Sequence, residues 1–273
     1  DRPIGFYLLL WPTLSALWLA AGGWPGWHLL VVFSLGALLT RSAGCVMNDI
    51  ADRGFDGQVK RTNGRPLVTG SVGVDEALML MGVLCAIALV LVLSTNLLTV
   101  ILAAGGVIVA AVYPYMKRYT HLPQAILGIA FSLGIPMAYT AVTNGVSQLT
   151  GLLFIANMVW IVAYDTQYAM VDRDDDIRLG LRSSAILFGE MDRAIIAVLQ
   201  VLFLFTLWLA GQFASLGWSF YGGLAVATAL CAYQQFLIRR RQRDGCFAAF
   251  LSNHWLGFAV FVGIVIDLSM FSA

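Results

Sequence analysis

The segment NDIADRGFD, residues 48–56, packs an amide and three carboxylates into nine positions. If the chain is helical there, Asn48, Asp52 and Asp56 stand at i, i+4 and i+8 and share one face. A second acid-rich segment, YDTQYAMVDRDDD at 164–176, holds five of the 15 acidic residues and repeats the spacing with Asp172 and Asp176. Carboxylates at that spacing repel by about 0.2–0.5 kcal/mol per pair on an isolated helix, so a bound cation is the natural compensation. Ligands that are all oxygen, without His or Cys, favour a hard ion such as Mg2+, which binds through one or two carboxylates plus substrate phosphate oxygens. Two such clusters facing each other imply a diphosphate held between two metal ions.

The elements that must position these clusters are membrane spans. The chain of 273 residues is 60% hydrophobic and only 11% charged, with a mean hydropathy of +0.83, which is the composition of a polytopic membrane protein. Nine apolar runs are long enough to cross a hydrocarbon layer of ~30 Å. They are 4–20, 27–47, 77–93, 97–115, 122–142, 149–171, 194–210, 216–238 and 247–271. They fill most of the chain, so the expected fold is all-α: nine transmembrane helices in one bundle, a single domain over 1–273. Each acidic cluster follows an even-numbered span, the second and the sixth, and opens a long connection.

Charge placement tests that count independently. The connections after spans two, four, six and eight carry 14 of the 16 Lys and Arg, and those after the odd spans carry none. The positive-inside rule then puts the N-terminus and both acidic clusters on the cytoplasmic side and the C-terminus outside. The first apolar run lacks a small-residue cleavage pattern and reads as a retained span. A net charge of +1, with the basic residues spread over four connections, gives no reason to invoke nucleic acid. Cys45, Cys85, Cys231 and Cys246 show no CxxC spacing, so neither a zinc site nor a disulfide framework is expected.

NDIADRGFD fits the NDxxDxxxD pattern, and DTQYAMVDRDDD the second aspartate-rich pattern, of the UbiA superfamily of intramembrane aromatic prenyltransferases, which the whole chain resembles. The stretches VKRTNGRPLVTG, YPYMKRYTHLPQ and YDTQYAMVDRDDD are similar to those of the bacterial members that prenylate 4-hydroxybenzoate for ubiquinone synthesis. The resemblance implies transfer of a polyprenyl group from an allylic polyprenyl diphosphate to an aromatic ring, with Mg2+ stabilising the departing diphosphate, in a bacterial inner membrane with the site toward the cytoplasm. By pattern match, Asn48, Asp52 and Asp56 would hold one metal centre and Asp172 and Asp176 the other. Asp49, Asp174 and Asp175 point in other directions from the same helices and are weaker candidates.

Basic groups complete a diphosphate site. Lys117 and Arg118 lie in MKRYTH, a short cytoplasmic connection, and Lys60, Arg61 and Arg65 lie in VKRTNGRPL, which Asn63, Gly64 and Pro66 mark as a turn. Arg41 is the unusual charge, because a lone Arg inside an apolar span by default faces the bundle interior. It precedes Asn48 by seven residues, so it shares that face about 10 Å deeper. Either the carboxylate of the acceptor ring or a structural partner such as Asp165 would suit it. Asp165, seven residues before Asp172, is a candidate for orienting the phenol or accepting its proton, and Asp165 and Asp172 are the candidate catalytic residues.

Other charges receive bland roles. RRRQR at 239–243 has no acidic pattern beside it in sequence and reads as a cytoplasmic anchor. Asp75 and Glu76, and Glu190 and Asp192, read as acids at helix N-termini. The glycine pairs 105–106 and 222–223 read as sites of close helix approach. Two other functions fit parts of the pattern. A UbiA-like enzyme could use homogentisate, a naphthoate or a lipid alcohol as acceptor, and a divalent-cation transporter would also place carboxylates among helices, although nearer the bilayer midplane.

Overall fold

The computed structural model describes residues 3–59 and 62–271, and in them the chain is helical with no strand. Twelve helices follow one another: α1 Ile4–Ala21, α2 Trp27–Asp56, α3 Pro66–Thr69, α4 Val74–Leu93, α5 Leu97–Val112, α6 Pro123–Ser132, α7 Gly134–Thr143, α8 Gln148–Leu179, α9 Ser184–Phe188, α10 Asp192–Phe213, α11 Trp218–Ile238 and α12 Arg243–Phe271. Eight segments among the described residues are long and apolar enough to cross a membrane, with α6 and α7 forming one of them. This makes the chain a multi-pass membrane protein. The difference from the expected nine is α11. It forms at full length, 21 residues, yet lies outside that set, its apolar run diluted by Ser219, Gly222, Gly223, Thr228, Gln234 and Gln235.

Helix length explains how the acidic clusters reach the membrane surface. α2 has 30 residues and α8 has 32, so each is about 45 Å long or more, well beyond the ~30 Å hydrocarbon thickness. Their last turns carry NDIADRGFD and VDRDDD out of the apolar zone without interrupting the helix. α8 opens on a capping box between Ser147 and Thr150 and closes on Gly180, whose left-handed backbone (φ 67°) ends the helix. The fifth predicted span is broken instead of straight. Pro136 lacks the N–H that would bond to Ser132, and the chain splits there into α6 and α7.

α1 and α7 each touch both α2 and α8, so the two motif helices are tied through shared neighbours. A buried amide network fixes α8 from its other side. Gln234 of α11 accepts from Gln200 Nε2 (2.7 Å) and Gln167 Nε2 (3.2 Å) and donates to Ser252 Oγ (3.0 Å). Asn253 of α12 donates to Gln167 Oε1 (2.9 Å) and accepts from the Trp160 indole (2.9 Å). Four helices therefore share one set of satisfied polar groups inside an apolar bundle, which sets their register as apolar packing alone would not.

The glycine pairs behave unequally. Gly223 lets α11 approach the α12 backbone at Ala259 and Gly263, as expected, whereas Gly105 and Gly222 face open space and Gly106 makes ordinary contact with Leu133. Trp24, Trp27 and Trp218 are exposed at the end opposite the acidic clusters, the placement of an interfacial aromatic belt.

Candidate active site

The first acidic cluster occupies three successive turns of α2. Asp52 and Asp56 are buried, and Asn48 is half-buried. Arg65, just ahead of α3, folds back so that its Nη1 lies 2.8 Å from Asp49 Oδ1 and 2.8 Å from Asp56 Oδ2. The turn between them is held by Thr62, whose hydroxyl donates to the Asp56 carbonyl (2.9 Å). Arg65 is thus bound to the cluster itself, with Asp49 as a partner that helical spacing had turned away from the site. Arg118, in the 3-10 turn Tyr113–Arg118, donates through Nη2 to the Ala51 carbonyl (2.9 Å), which brings the fourth connection onto the same helix end. Lys60 and Arg61 lie outside the described residues, as does the Lys117 side chain.

The second cluster lies at the end of α8, with Asp172 and Asp176 half-buried and Asp175 buried. Here the structure corrects the reading of RRRQR as an anchor alone. Arg243 Nη1 bonds Asp175 Oδ2 at 3.1 Å and its Nη2 lies 3.6 Å from Asp174. Arg241 Nε lies 3.0 Å from both oxygens of Asp192, a side chain with no exposed surface. Residues far apart in sequence meet because α12 starts beside the end of α8, a relation that local sequence does not carry. Asp192 begins α10 as expected, but it is also the buried half of an ion pair.

The 3-10 turn Tyr113–Arg118 that follows α5 packs against α2 and α6. Asp165, Arg41 and Asp52 lie within electrostatic range of the Tyr113 phenol. Asp165 and Arg41 act on Tyr164 too, a ring 2% exposed whose hydroxyl has no hydrogen-bond partner among the described residues. Arg41 lies against α1, in the space a side chain at Gly5 would fill, and its guanidinium carbon stands 5.5 Å from the centre of the Phe131 ring. Arg41 and Asp165 are therefore within electrostatic range of both Tyr113 and Tyr164, and Asp52 of Tyr113. Gly5 and Phe131 carry no sequence signal that separates them from packing residues, Tyr113 and Tyr164 stand in the family-like stretches YPYMKRYTHLPQ and YDTQYAMVDRDDD without a role being legible there, and Arg243 is hidden in the basic run.

The donor set fits a hard divalent cation: carboxylate and amide oxygens, no nitrogen ring and no thiolate. Among the described residues no three acids, His or Cys close into a cage. A metal here would take part of its shell from the chain and the rest from phosphate and water.

A model of the UbiA prenyltransferase family matches residues 9–258. The chain belongs to that family. A 4-hydroxybenzoate octaprenyltransferase of Marinobacter nauticus is 56% identical over 270 residues, covering 98% of this chain and 92% of that one. One from Aeromonas hydrophila is also 56% identical, over 98% and 93%. Among solved structures, the UbiA homolog from Aeropyrum pernix K1 in its apo form superposes with a TM-score of 0.86 at 22% identity, over 98% of this chain and 99% of that one. A UbiA homolog from Archaeoglobus fulgidus, bound to GPP and Mg2+, gives 0.66 at 19%, over 95% and 97%. The UbiA fold is thus the scaffold that carries the two acidic helix ends.

Proposed function

We propose that this chain transfers a polyprenyl group from a polyprenyl diphosphate to the ring of 4-hydroxybenzoate, releasing pyrophosphate, as a step of ubiquinone biosynthesis. The observation that carries this reading is the pair of acidic helix ends, with Asn48, Asp52 and Asp56 on α2 and Asp172 and Asp176 on α8, in a chain more than half identical along its length to proteins named 4-hydroxybenzoate octaprenyltransferase. The protein works in the bacterial inner membrane with nine spans, its N-terminus and active site toward the cytoplasm.

The chemistry breaks the C1–O bond of the donor, with the electron pair leaving on the diphosphate. A ring carbon of the acceptor forms the new bond to C1 and then loses its proton. The acceptor's hydroxyl activates the positions beside and opposite it, and the carboxylate fills the opposite one, so the prenyl group enters next to the hydroxyl. Mg2+ held by Asn48, Asp52 and Asp56 on one side and by Asp172 and Asp176 on the other would supply the positive charge that stabilises the leaving group.

The chain's own residues do the rest. Arg65 and Arg118, fixed by their bonds to α2, stand beside the diphosphate, with Lys117, Lys60 and Arg61 as further contacts. Arg41 takes the acceptor carboxylate, in a membrane interior where an unpaired anion would be costly. Asp165 orients the phenol or takes its proton. The Tyr164 hydroxyl, buried without a hydrogen-bond partner among the described residues, bonds the acceptor.

The test is incubation of the purified protein with a polyprenyl diphosphate, Mg2+ and one acceptor at a time: 4-hydroxybenzoate, homogentisate, a dihydroxynaphthoate or a lipid alcohol. The expected product is the prenylated 4-hydroxybenzoate, lost on addition of chelator. Preferential prenylation of another acceptor would replace the acceptor assignment. Absence of any prenylated product would remove the activity.

A further inference from the structure

We propose that a polar cavity beside the two acidic motifs is a second anion subsite, one that receives the inorganic pyrophosphate released by the reaction. The inference rests on the transferase reading above. The cavity has a volume of about 450 Å3, and Gly57, Gln58, Asn63, Asp175, Arg178 and Arg243 stand in its walls. These come from three separate segments: the turn after α2, the end of α8 and the start of α12. Gly57 follows Asp56 and Asp175 precedes Asp176, so the cavity abuts the last residue of both motifs. None of Asn48, Asp52, Asp56, Asp172 and Asp176 lines it.

Its charge suits an anion. Two of the wall residues are cations and one is a carboxylate, which bonds Arg243 and pairs loosely with the exposed Arg178. Asp175 Oδ2 lies 3.1 Å from Arg243 Nη1, and its Oδ1 lies 3.8 Å from Arg178 Nη1. Asp174, 3.6 Å from Arg243, stands outside the wall. A guanidinium carries five N–H donors in a fixed fork, more than these carboxylates engage, and the remainder is available to phosphate oxygens. Gln58 and Asn63 add exposed amide donors. α12, 29 residues long, begins at Arg243, so its positive end adds to the same field.

The reaction itself explains why such a subsite is useful. Each turnover leaves a small, multiply charged anion among the cations that had stabilised it, and the strength of that hold opposes release. A neighbouring cationic cavity open to water offers comparable attraction one step outward, so pyrophosphate can leave the motif carboxylates before it is fully hydrated.

A diphosphate group could also enter the cavity as the head of the incoming donor, and the test separates the two sources. Initial rates are measured against donor concentration, at fixed free Mg2+, with and without added pyrophosphate, for the wild type, Arg178→Gln and Asn63→Asp. Both variants alter exposed side chains and leave the Arg243–Asp175 bond in place, and thermal melting verifies that each is folded. In the wild type, inhibition by pyrophosphate should keep a component that saturating donor does not relieve, because the subsite fills while donor is bound. That component should weaken roughly tenfold in each variant, the worth of one hydrogen bond to a charged group. Purely competitive inhibition in the wild type would overturn the proposal, as would an undiminished component in both variants. A raised donor KM with an unchanged inhibition pattern would make the cavity an entry site and overturn it equally. Wild-type protein that forms no prenylated acid before pyrophosphate is added would instead remove the transferase reading and this inference with it.

Discussion

The guanidinium of Arg41 lies against the backbone of Gly5, in the volume that any side chain at position 5 would occupy. The notch lets an arginine of α2 rest on α1 beneath the acidic cluster, facing Phe131. On the proposed function this is the seat of the acceptor carboxylate. Arg41→Ala should cost about 1.5–3 kcal/mol in acceptor use, the range for a hydrogen bond to a charged group. The donor KM should change little. Phenol, which lacks the carboxylate, should lose much less, and kinetics of both acceptors with both proteins form a cycle whose coupling reports the contact. Equal losses with the two acceptors would move Arg41 to the packing framework or the diphosphate.

Tyr164 supplies a second probe of the same region. Its hydroxyl is buried without a hydrogen-bond partner among the described residues, beside Asp165 and Arg41. Tyr164→Phe should raise the KM for 4-hydroxybenzoate by an amount equivalent to about 0.5–1.5 kcal/mol, the net value of a neutral hydrogen bond. The melting temperature should not fall, because no internal bond is broken. An unchanged KM would show that the hydroxyl does not meet the acceptor.

Gln234 tests the framework. Replacing it with Leu leaves the amide donors of Gln167 and Gln200, and Ser252 Oγ, without their shared partner. Unfolding in mixed micelles should show a loss of about 1–3 kcal/mol, the cost of buried polar groups left unsatisfied. A stability equal to wild type would mean that apolar packing alone sets the register of α8.

Much of this arrangement was readable in the sequence because it is local. The spacing of Asn48, Asp52 and Asp56, and of Asp172 and Asp176, is helical, and α2 and α8 run helical through both sets. Arg41 stood out because a charge within an apolar run needs an interior partner. What the sequence could not show depends on which helices become neighbours. Arg243 belongs to a basic run that topology alone explains, and only the start of α12 beside the end of α8 puts it on Asp175. Gln167, Gln200, Gln234 and Asn253 are visible as polar residues in apolar spans, but their shared network requires four helices to be placed first. Gly5 has no local signature at all, since its reason is the side chain of another helix. The span 122–142 reads as one helix, although Gly134 and Pro136 stand at its centre, where the chain breaks into α6 and α7.

Topology has its own test, which bears on α11. If Trp218–Ile238 crosses the membrane despite Gln234 and Gln235, the chain crosses nine times, and the absence of Lys and Arg from the odd connections puts the C-terminus outside. A reporter fused after the last residue should be active only on the periplasmic face. Cytoplasmic activity would make α11 a non-spanning helix and return the count to eight.

On the proposed function, two acidic helix ends, from α2 and α8, hold one diphosphate through divalent metal. The direct measurement is prenyl transfer by Asp52→Ala and Asp176→Ala, each purified and verified as folded, as a function of Mg2+ concentration. Each removes a carboxylate from a different side of the leaving group, so each should lower turnover by on the order of 10²–10³-fold, as does loss of an electrostatic stabiliser of a transition state. Each should also shift the Mg2+ dependence to higher concentration. Near-normal turnover at limiting Mg2+ in either folded variant would contradict the claim for that cluster.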